Sequence, residues 1–404
     1  MIIYNLVLLM LFSPKFLIDY LFKKKYRQSL SFRLFPRPPK TGDKEVIWLH
    51  GVSMGETKAL ATLIPHIRKH LPNAFIFVTT VTETGQKQAK TIPDIDTCAY
   101  LPLDFSWVIR PFVRAIRPKL LILVEGDYWL NLLSEVKKCS GKIAVVNGKL
   151  SEKSLKRYLA FSSFSRSLFS SIDHFYLQGE SYLERFLKLG ISPEKLTVTG
   201  NLKYDIPSAP IKEIDAFKKE WDLGLKDRII TIGSTHEGEE ILLLNTLLPF
   251  LSKDPHLKIL IVPRHPERFK KVKASIHHPQ VIVVDQMGVL PKCYYLSYLA
   301  IVGGSFVKGI GGHDIFEPVK MGVPTLFGPY MHAQADLDHA LSSVAAAIKT
   351  PAQKLSPLIG KLLIDQKFHI EVSEKGKNFA QKSAGTSFRT WNFIHQHFLL
   401  EKKS

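Results

Sequence analysis

From about residue 44 the chain alternates short apolar runs with helix-length amphipathic stretches, and it does so in two series. Val46–His50, Ala74–Thr80, Leu120–Glu125, Lys142–Asn147, Phe175–Gln178 and Lys195–Thr199 form the first set of strand candidates, with helical stretches such as Thr84–Thr91 and Ser181–Leu189 between them. Ile229–Gly233, Lys258–Pro263, Val281–Asp285, Leu299–Val302 and Pro324–Phe327 form the second. Strands separated by helices predict an α/β protein with parallel sheets and crossover helices in both halves. Asp205-Ile-Pro-Ser-Ala-Pro-Ile-Lys212 lies between the series, and two prolines so close together break any regular element, which marks a linker. A chain of 404 residues, 45% hydrophobic, is too long for one ordinary core and fits two domains.

The halves open alike. Gly55-Glu56 leads to Thr62-Leu-Ile-Pro65, and Gly238-Glu239-Glu240 leads to Thr246-Leu-Leu-Pro249; Ser53-x-x-Glu56 and Ser234-x-x-Glu237 share one spacing. The repetition predicts two Rossmann-like domains facing each other across a cleft. In the first, His50-Gly-Val-Ser-Met-Gly-Glu56 ends a strand and opens a helix, where open sheets bind ligands. Glu56 then has two readings. It is a catalytic carboxylate at the mouth of the sheet, or it is the distal half of a capping box that satisfies an orphan helix N–H.

Four segments of the second half fall at or just after strand ends: Gly233-Ser-Thr-His-Glu-Gly238, Val262-Pro-Arg-His-Pro-Glu-Arg268, Asp285-Gln-Met-Gly-Val289 and the glycine-rich stretch from Gly303 to Glu317. Repeated glycines let backbone approach a ligand and free N–H groups for an anion. A helix starting across Asp314 to Glu317 adds an N-terminus that favours phosphate, and Glu317 is placed to accept from a ribose diol. Arg264 offers a planar fork for phosphate or carboxylate, or it pairs with Glu267. Together the four predict a nucleotide site. In the first half, Glu125-Gly-Asp-Tyr-Trp129 puts two carboxylates after a strand, and Lys203 near the hinge either reaches into the cleft or is a solvated linker lysine.

The net charge of +19 points to anionic partners: nucleic acid, an acidic membrane surface or phosphorylated substrates. Three scattered cysteines give no disulfide framework or zinc spacing, and the fifteen histidines include no pattern that suggests a metal. Met1 to Phe12 is almost wholly apolar, Pro14-Lys15 interrupts it, and Lys23-Lys24-Lys25-Tyr26-Arg27 follows a second apolar stretch. The first run is too short to cross a hydrocarbon core of roughly 30 Å as a helix. It reads as an inserted or interfacial anchor with a basic collar toward anionic lipid headgroups, against the alternative of an apolar helix packed on the body.

Carried by these segments, the chain resembles the bacterial 3-deoxy-D-manno-octulosonate (Kdo) transferases of lipopolysaccharide synthesis over nearly its whole length. The matching segments are the N-terminal anchor, His50–Glu56, Glu125–Asn131, Gly200–Asp205, Ser234–Glu240, Pro263–Arg268 and Gly303–Glu317 through Leu326-Phe-Gly-Pro329. The resemblance implies the glycosyltransferase B-type fold, with an N-terminal membrane-anchor helix. It implies an anchor and collar over 1–35, an acceptor-binding domain over 36–207 and a CMP-Kdo-binding domain over 208–404, with a terminal helix within Phe379–Phe398 crossing back over the cleft. By motif, Glu56 resembles the general base, and Glu125 and Lys203 resemble transition-state stabilisers. Pro263 and Arg264, Met287, Gly288 and Val289, and Asp314, Ile315, Phe316 and Glu317 look like the CMP contacts.

Three departures stand out. Met287-Gly-Val-Leu290 replaces the usual Met-Gly-Glu-Leu, so any side-chain role at Val289 is lost. Asp314 stands where asparagine is usual. Glu125-Gly-Asp-Tyr-Trp-Leu-Asn131 replaces the more common Glu-Thr-Glu-Leu-Trp-Pro-Asn, which leaves Asp127 as the alternative carboxylate.

The implied reaction is an inverting direct displacement. One or several Kdo residues pass from CMP-Kdo to a lipid A precursor (lipid IVA), with Glu56 taking the acceptor proton and basic side chains in place of a metal ion. The implied partners are the lipid A precursor, CMP-Kdo and anionic inner-membrane lipids, with no nucleic acid, at the cytoplasmic face of the bacterial inner membrane. Two rival readings are another membrane-associated B-type transferase using a UDP-sugar, and a non-catalytic basic protein that binds membrane or nucleic acid.

Overall fold

The computed structural model describes residues 4–10, 29–207 and 213–400. The chain forms two compact units: Met1–Ile206 with Gly385–Ser404, and Pro207–Ala384. The last helix therefore belongs with the first half by its packing, whereas the sequence boundary carried it with the second.

Unit 1 holds seven strands: β1 (Val46–His50), β2 (Phe75–Thr80), β3 (Thr97–Tyr100), β4 (Leu120–Val124), β5 (Lys142–Gly148), β6 (His174–Leu177) and β7 (Leu196–Val198). Their order is β3-β2-β1-β4-β5-β6-β7, with every pairing parallel. Central strands are buried on both faces, and alternate residues feed two cores. Trp48, Phe77, Leu121, Leu123 and Val145 pack one face, and Ile47, Leu49, Ile76, Val78, Ile122 and Val146 pack the other. That is why these runs read as continuously apolar rather than alternating. The edge strand β3 escaped prediction because Thr97-Cys-Ala-Tyr100 is short and only half-buried.

Unit 2 repeats the plan with β8 (Arg228–Thr235), β9 (Leu257–Pro263), β10 (Val281–Val283), β11 (Leu299–Val302), β12 (Thr325–Phe327) and β13 (Ile348–Lys349), in the order β10-β9-β8-β11-β12-β13. All pairings are again parallel. Both sheets reverse their winding at one place, between β1 and β4 and between β8 and β11. Open α/β sheets bind ligands beyond the carboxyl ends of the strands at such a switch point.

Phe379–Phe398 is not one helix. Gly385, at φ 77°, separates the helices Gln366–Ser383 and Thr386–Phe398. The latter packs Trp391 and Ile394 into the unit 1 core. Its capping glycine has no side chain, and Asp205 supplies the acceptors instead: it takes the N–H groups of Gly385 (2.8 Å) and Ser387 (2.6 Å) and the Ser387 hydroxyl (2.7 Å). This ties the helix start to the turn Leu202–Asp205 that carries Lys203.

The anchor expectation is corrected in part. Residues 4–10 are helical and dock on unit 1: the Tyr4 hydroxyl donates to Asp104 (3.0 Å), and the Asn5 amide donates to Ser106 (2.8 Å) and accepts from Asn131 (2.9 Å). Leu8 completes a small cluster with Leu103, Phe105 and Val108. Burial pushes the Asp104 carboxyl up to about 7. Among the described residues no helix is long and apolar enough to cross a membrane, and the collar Lys23–Arg27 lies outside them.

Candidate active site

Four unit 1 side chains gather at its switch point. Glu56 is the third residue of the helix Met54–Ala61, whose cap Ser53 accepts its N–H at 3.4 Å. Its carboxylate accepts the Val52 N–H at 2.7 Å and the Ser53 hydroxyl at 3.0 Å. The capping geometry is thus formed. It does not exhaust the group, because a carboxylate has about four acceptor sites and these bonds use two. Burial raises the Glu56 carboxyl above its ordinary range; the Val52 N–H opposes this, and the neighbouring Glu125 charge adds to it. A carboxylate with raised proton affinity is a better base than a free one.

Glu125 follows β4 and is buried. Lys203 meets one of its oxygens at 2.8 Å and Lys149 the other at 2.5 Å. Burial alone would raise its pKa, but Lys203 and then Lys149 hold it below the ordinary carboxylate value, so it is ionised. Asn147 braces the group, donating to Glu125 at 3.4 Å while accepting the Leu202 N–H at 2.9 Å. Both Glu125 (φ 68°) and Asn147 (φ 55°) lie in the left-handed region. That conformation is uncommon for side-chain-bearing residues and collects at functional sites. Asp127 faces elsewhere: it accepts from the Trp129 indole at 2.7 Å and meets His50 Nε2 at 3.1 Å. Of the two candidate carboxylates, Glu125 is the one beside Lys203. Sequence reading missed Lys149, whose only signal was its place just after β5.

At the unit 2 switch point the expected capping pair Ser234 and Glu237 does not form. Gly238 caps the helix Glu239–Leu251, while exposed Glu237 pairs with Lys271 at 2.5 Å. Buried Glu239 is the structural carboxylate, accepting the N–H groups of His236 (2.9 Å), Gly304 (2.7 Å) and Phe306 (2.9 Å). Burial leaves its pKa raised despite those three bonds. Glycine is required at both positions of the Gly303–Gly304 pair. A Cβ at Gly303 would lie 2.9 Å from Glu239, and one at Gly304 (φ 69°) would lie 2.6 Å from the His313 ring. Arg268 grips Glu240 with two bonds of 2.8 and 3.1 Å, locking the loop after β9 to the helix.

The expected nucleotide contacts divide. Arg264 is exposed and does not pair with Glu267, which meets His265 at 3.6 Å. Pro263 ends β9 opposite Thr235. Met287 is exposed, Gly288 (φ 81°) has open space around it, and Val289 starts the helix Leu290–Leu296. Ile315 and Phe316 are buried core residues, leaving only their backbone to a ligand. The helix after the glycine loop, Phe316–Lys320, has five residues, and Asp314 accepts its first N–H at 2.9 Å. The Asp314 carboxylate therefore takes one of the N–H groups at the terminus where the phosphate was expected. No group of metal-ligating side chains is found among the described residues.

Two parallel sheets, each with charged and polar side chains at its switch point, define the class: a two-domain α/β protein with the glycosyltransferase B fold. Consistent with that fold, the chain is similar to a crystal structure of a glycosyltransferase from Rickettsia africae, with TM-score 0.63, 15% identity and coverage of 90% of this chain and 100% of that one. It is also similar to the UDP-GlcNAc 2-epimerase of Neisseria meningitidis, with TM-score 0.65, 14% identity and coverage of 87% and 100%. Residues 26–206 match the family described as 3-Deoxy-D-manno-octulosonic-acid transferase (kdotransferase). The 3-deoxy-D-manno-octulosonic acid transferase of Chlamydophila psittaci is 34% identical over 405 residues, 95% of this chain and 93% of the relative. The chain belongs to the 3-deoxy-D-manno-octulosonic acid transferases.

Proposed function

We propose that this enzyme transfers Kdo from CMP-Kdo to a hydroxyl of a phosphorylated lipid A precursor by direct displacement. The acceptor oxygen forms a bond to the anomeric carbon as the bond to the phosphate oxygen breaks, CMP leaves, and the hydroxyl proton passes to Glu56. The observation that carries this reading is a half-buried Glu56 of raised proton affinity beside an ionised Glu125 that holds Lys203 and Lys149. Glu56 supplies the base, and Glu125 with its two lysines carries one net positive charge for an anion in the transition state. Unit 2 is read as the donor domain, where exposed Arg264 and the open backbone around Gly288 suit a nucleotide phosphate.

The acceptor's lipid nature gives a use to an exposed apolar face on unit 1. Leu6, Val7, Leu9 and Met10 lie outward around the Leu8 cluster, with Phe32, Phe35 and Trp107 also exposed. We read this face as resting on the cytoplasmic surface of the inner membrane, with anionic lipids meeting the basic collar. The direct test is incubation of the full chain with CMP-Kdo and a tetra-acylated lipid A precursor, with products weighed by mass spectrometry. A mass increase of one or more Kdo units supports the reading. Transfer from a UDP-sugar instead, or no transfer from either donor, contradicts it.

A further inference from the structure

Two histidines meet at the unit 2 switch point. His236 lies on the loop after β8 and His313 on the glycine loop after β11, and their Nε2 atoms are 2.7 Å apart. The rings are nearly parallel, 12° apart with centroids at 5.0 Å, and His265 stands edge-on to His236 at 5.1 Å. The arrangement is built. Glu239 pins both loops by taking N–H groups from His236, Gly304 and Phe306, and the missing side chain at Gly304 makes room for the His313 ring.

Such a contact requires one Nε2–H and one Nε2 lone pair, so in the neutral pair one ring donates to the other. One added proton preserves that bond and places a single positive charge on the two rings. Every charged group packed around the pair bears on that proton. Arg264, His265 and Arg268 come from the loop after β9, and His332 lies across the glycine loop, 2.9 Å from where a Cβ of Gly311 would sit. The carboxylates nearby are engaged, Glu239 by three N–H groups and Glu240 by Arg268 and Thr235. Burial, followed by the neighbouring cations and rings, holds His236 below the ordinary imidazole value and His313 down to about 4. The empty pair is therefore neutral near pH 7.

We propose that His236 and His313 form a proton-accepting seat for an anionic oxyacid group of the donor, neutral when empty and singly protonated when filled. The proton comes from solvent and stays on the pair. This inference rests on unit 2 being the donor domain, and the group is the donor's phosphate or its carboxylate. Calorimetric titration of the full chain near pH 7, in Tris and in Hepes, measures net proton uptake from the difference in heat between buffers. CMP carries the phosphate alone and free Kdo the carboxylate alone.

About one proton is expected per bound ligand, with affinity weakening as pH rises, because the filled form carries the extra proton. Uptake with CMP assigns the phosphate; uptake only with free Kdo assigns the carboxylate. His313→Asn and His236→Asn should each abolish the uptake and flatten the pH dependence while thermal stability stays near wild type. Ligands that bind without proton uptake, or uptake that persists in both variants, overturn the seat alone. Failure of CMP to bind at all overturns the donor reading, and the seat with it.

Discussion

The two units share a sheet order and a switch point, yet each uses a glutamate in the first turn of the helix after its leading strand, and in opposite ways. In unit 1 Glu56 keeps about two acceptor sites free of its capping bonds. In unit 2 Glu239 is buried and spends its oxygens on three backbone N–H groups. The surroundings differ to match. Unit 1 collects lysines around an ionised carboxylate, whereas unit 2 presents histidines and an exposed arginine over a frame of engaged carboxylates. One architecture thus leaves acceptor sites open on one glutamate and fully engages the other, and the sequence pattern around the two glutamates looks almost the same.

This contrast can be broken by substitution. Lys203→Ala removes the ammonium held by Glu125, and turnover should fall about 100- to 1000-fold with folding intact, as for loss of one preorganised charge donor. A steady-state assay that finds KM changed and turnover untouched would move Lys203 from catalysis to binding. Glu239→Gln should act on structure instead. An amide cannot accept three N–H bonds in that place, so a loss of about 3 kcal/mol in unit 2 stability is expected, read by denaturant titration. Unchanged stability would mean that the loops hold without it.

A smaller, pH-dependent effect is expected in unit 1. Burial, then His397 and Lys195, holds His174 down to about 4, and His397 is also depressed by burial against Tyr176. The folded state disfavours the protonated rings. Stability is therefore full above the ordinary imidazole value near 6.5 and is lost as pH falls toward 4, on the order of 2–3 kcal/mol for His174. Hydrogen exchange in the helix Thr386–Phe398 should accelerate across that window, and His174→Gln should remove most of the acceleration.

Much of this was legible in the sequence because it follows from short-range patterns. All eleven expected strand runs appear within about two residues of their expected ends, since central parallel strands are apolar on both faces. Glu125 with Lys203 was found through motif resemblance, not through spacing: 78 positions separate them, and only the Asn147 brace shows how the sheet brings them together. Lys149 escaped because a lone lysine after a strand carries no local signal. Ile315 and Phe316 are core residues because the turn that exposes Asp314 rolls them inward, and Ser234 is no helix cap because the chain runs on through Gly238 before coiling. Both outcomes depend on backbone turns that composition does not encode.

The central claim is that Glu56 is a base as well as a cap, and Glu56→Gln tests it. The amide oxygen still accepts the Val52 N–H, so the helix start and CMP affinity should persist within about twofold, while single-turnover Kdo transfer should fall by at least about 100-fold. A variant that transfers Kdo at the wild-type rate would leave Glu56 as a helix cap alone.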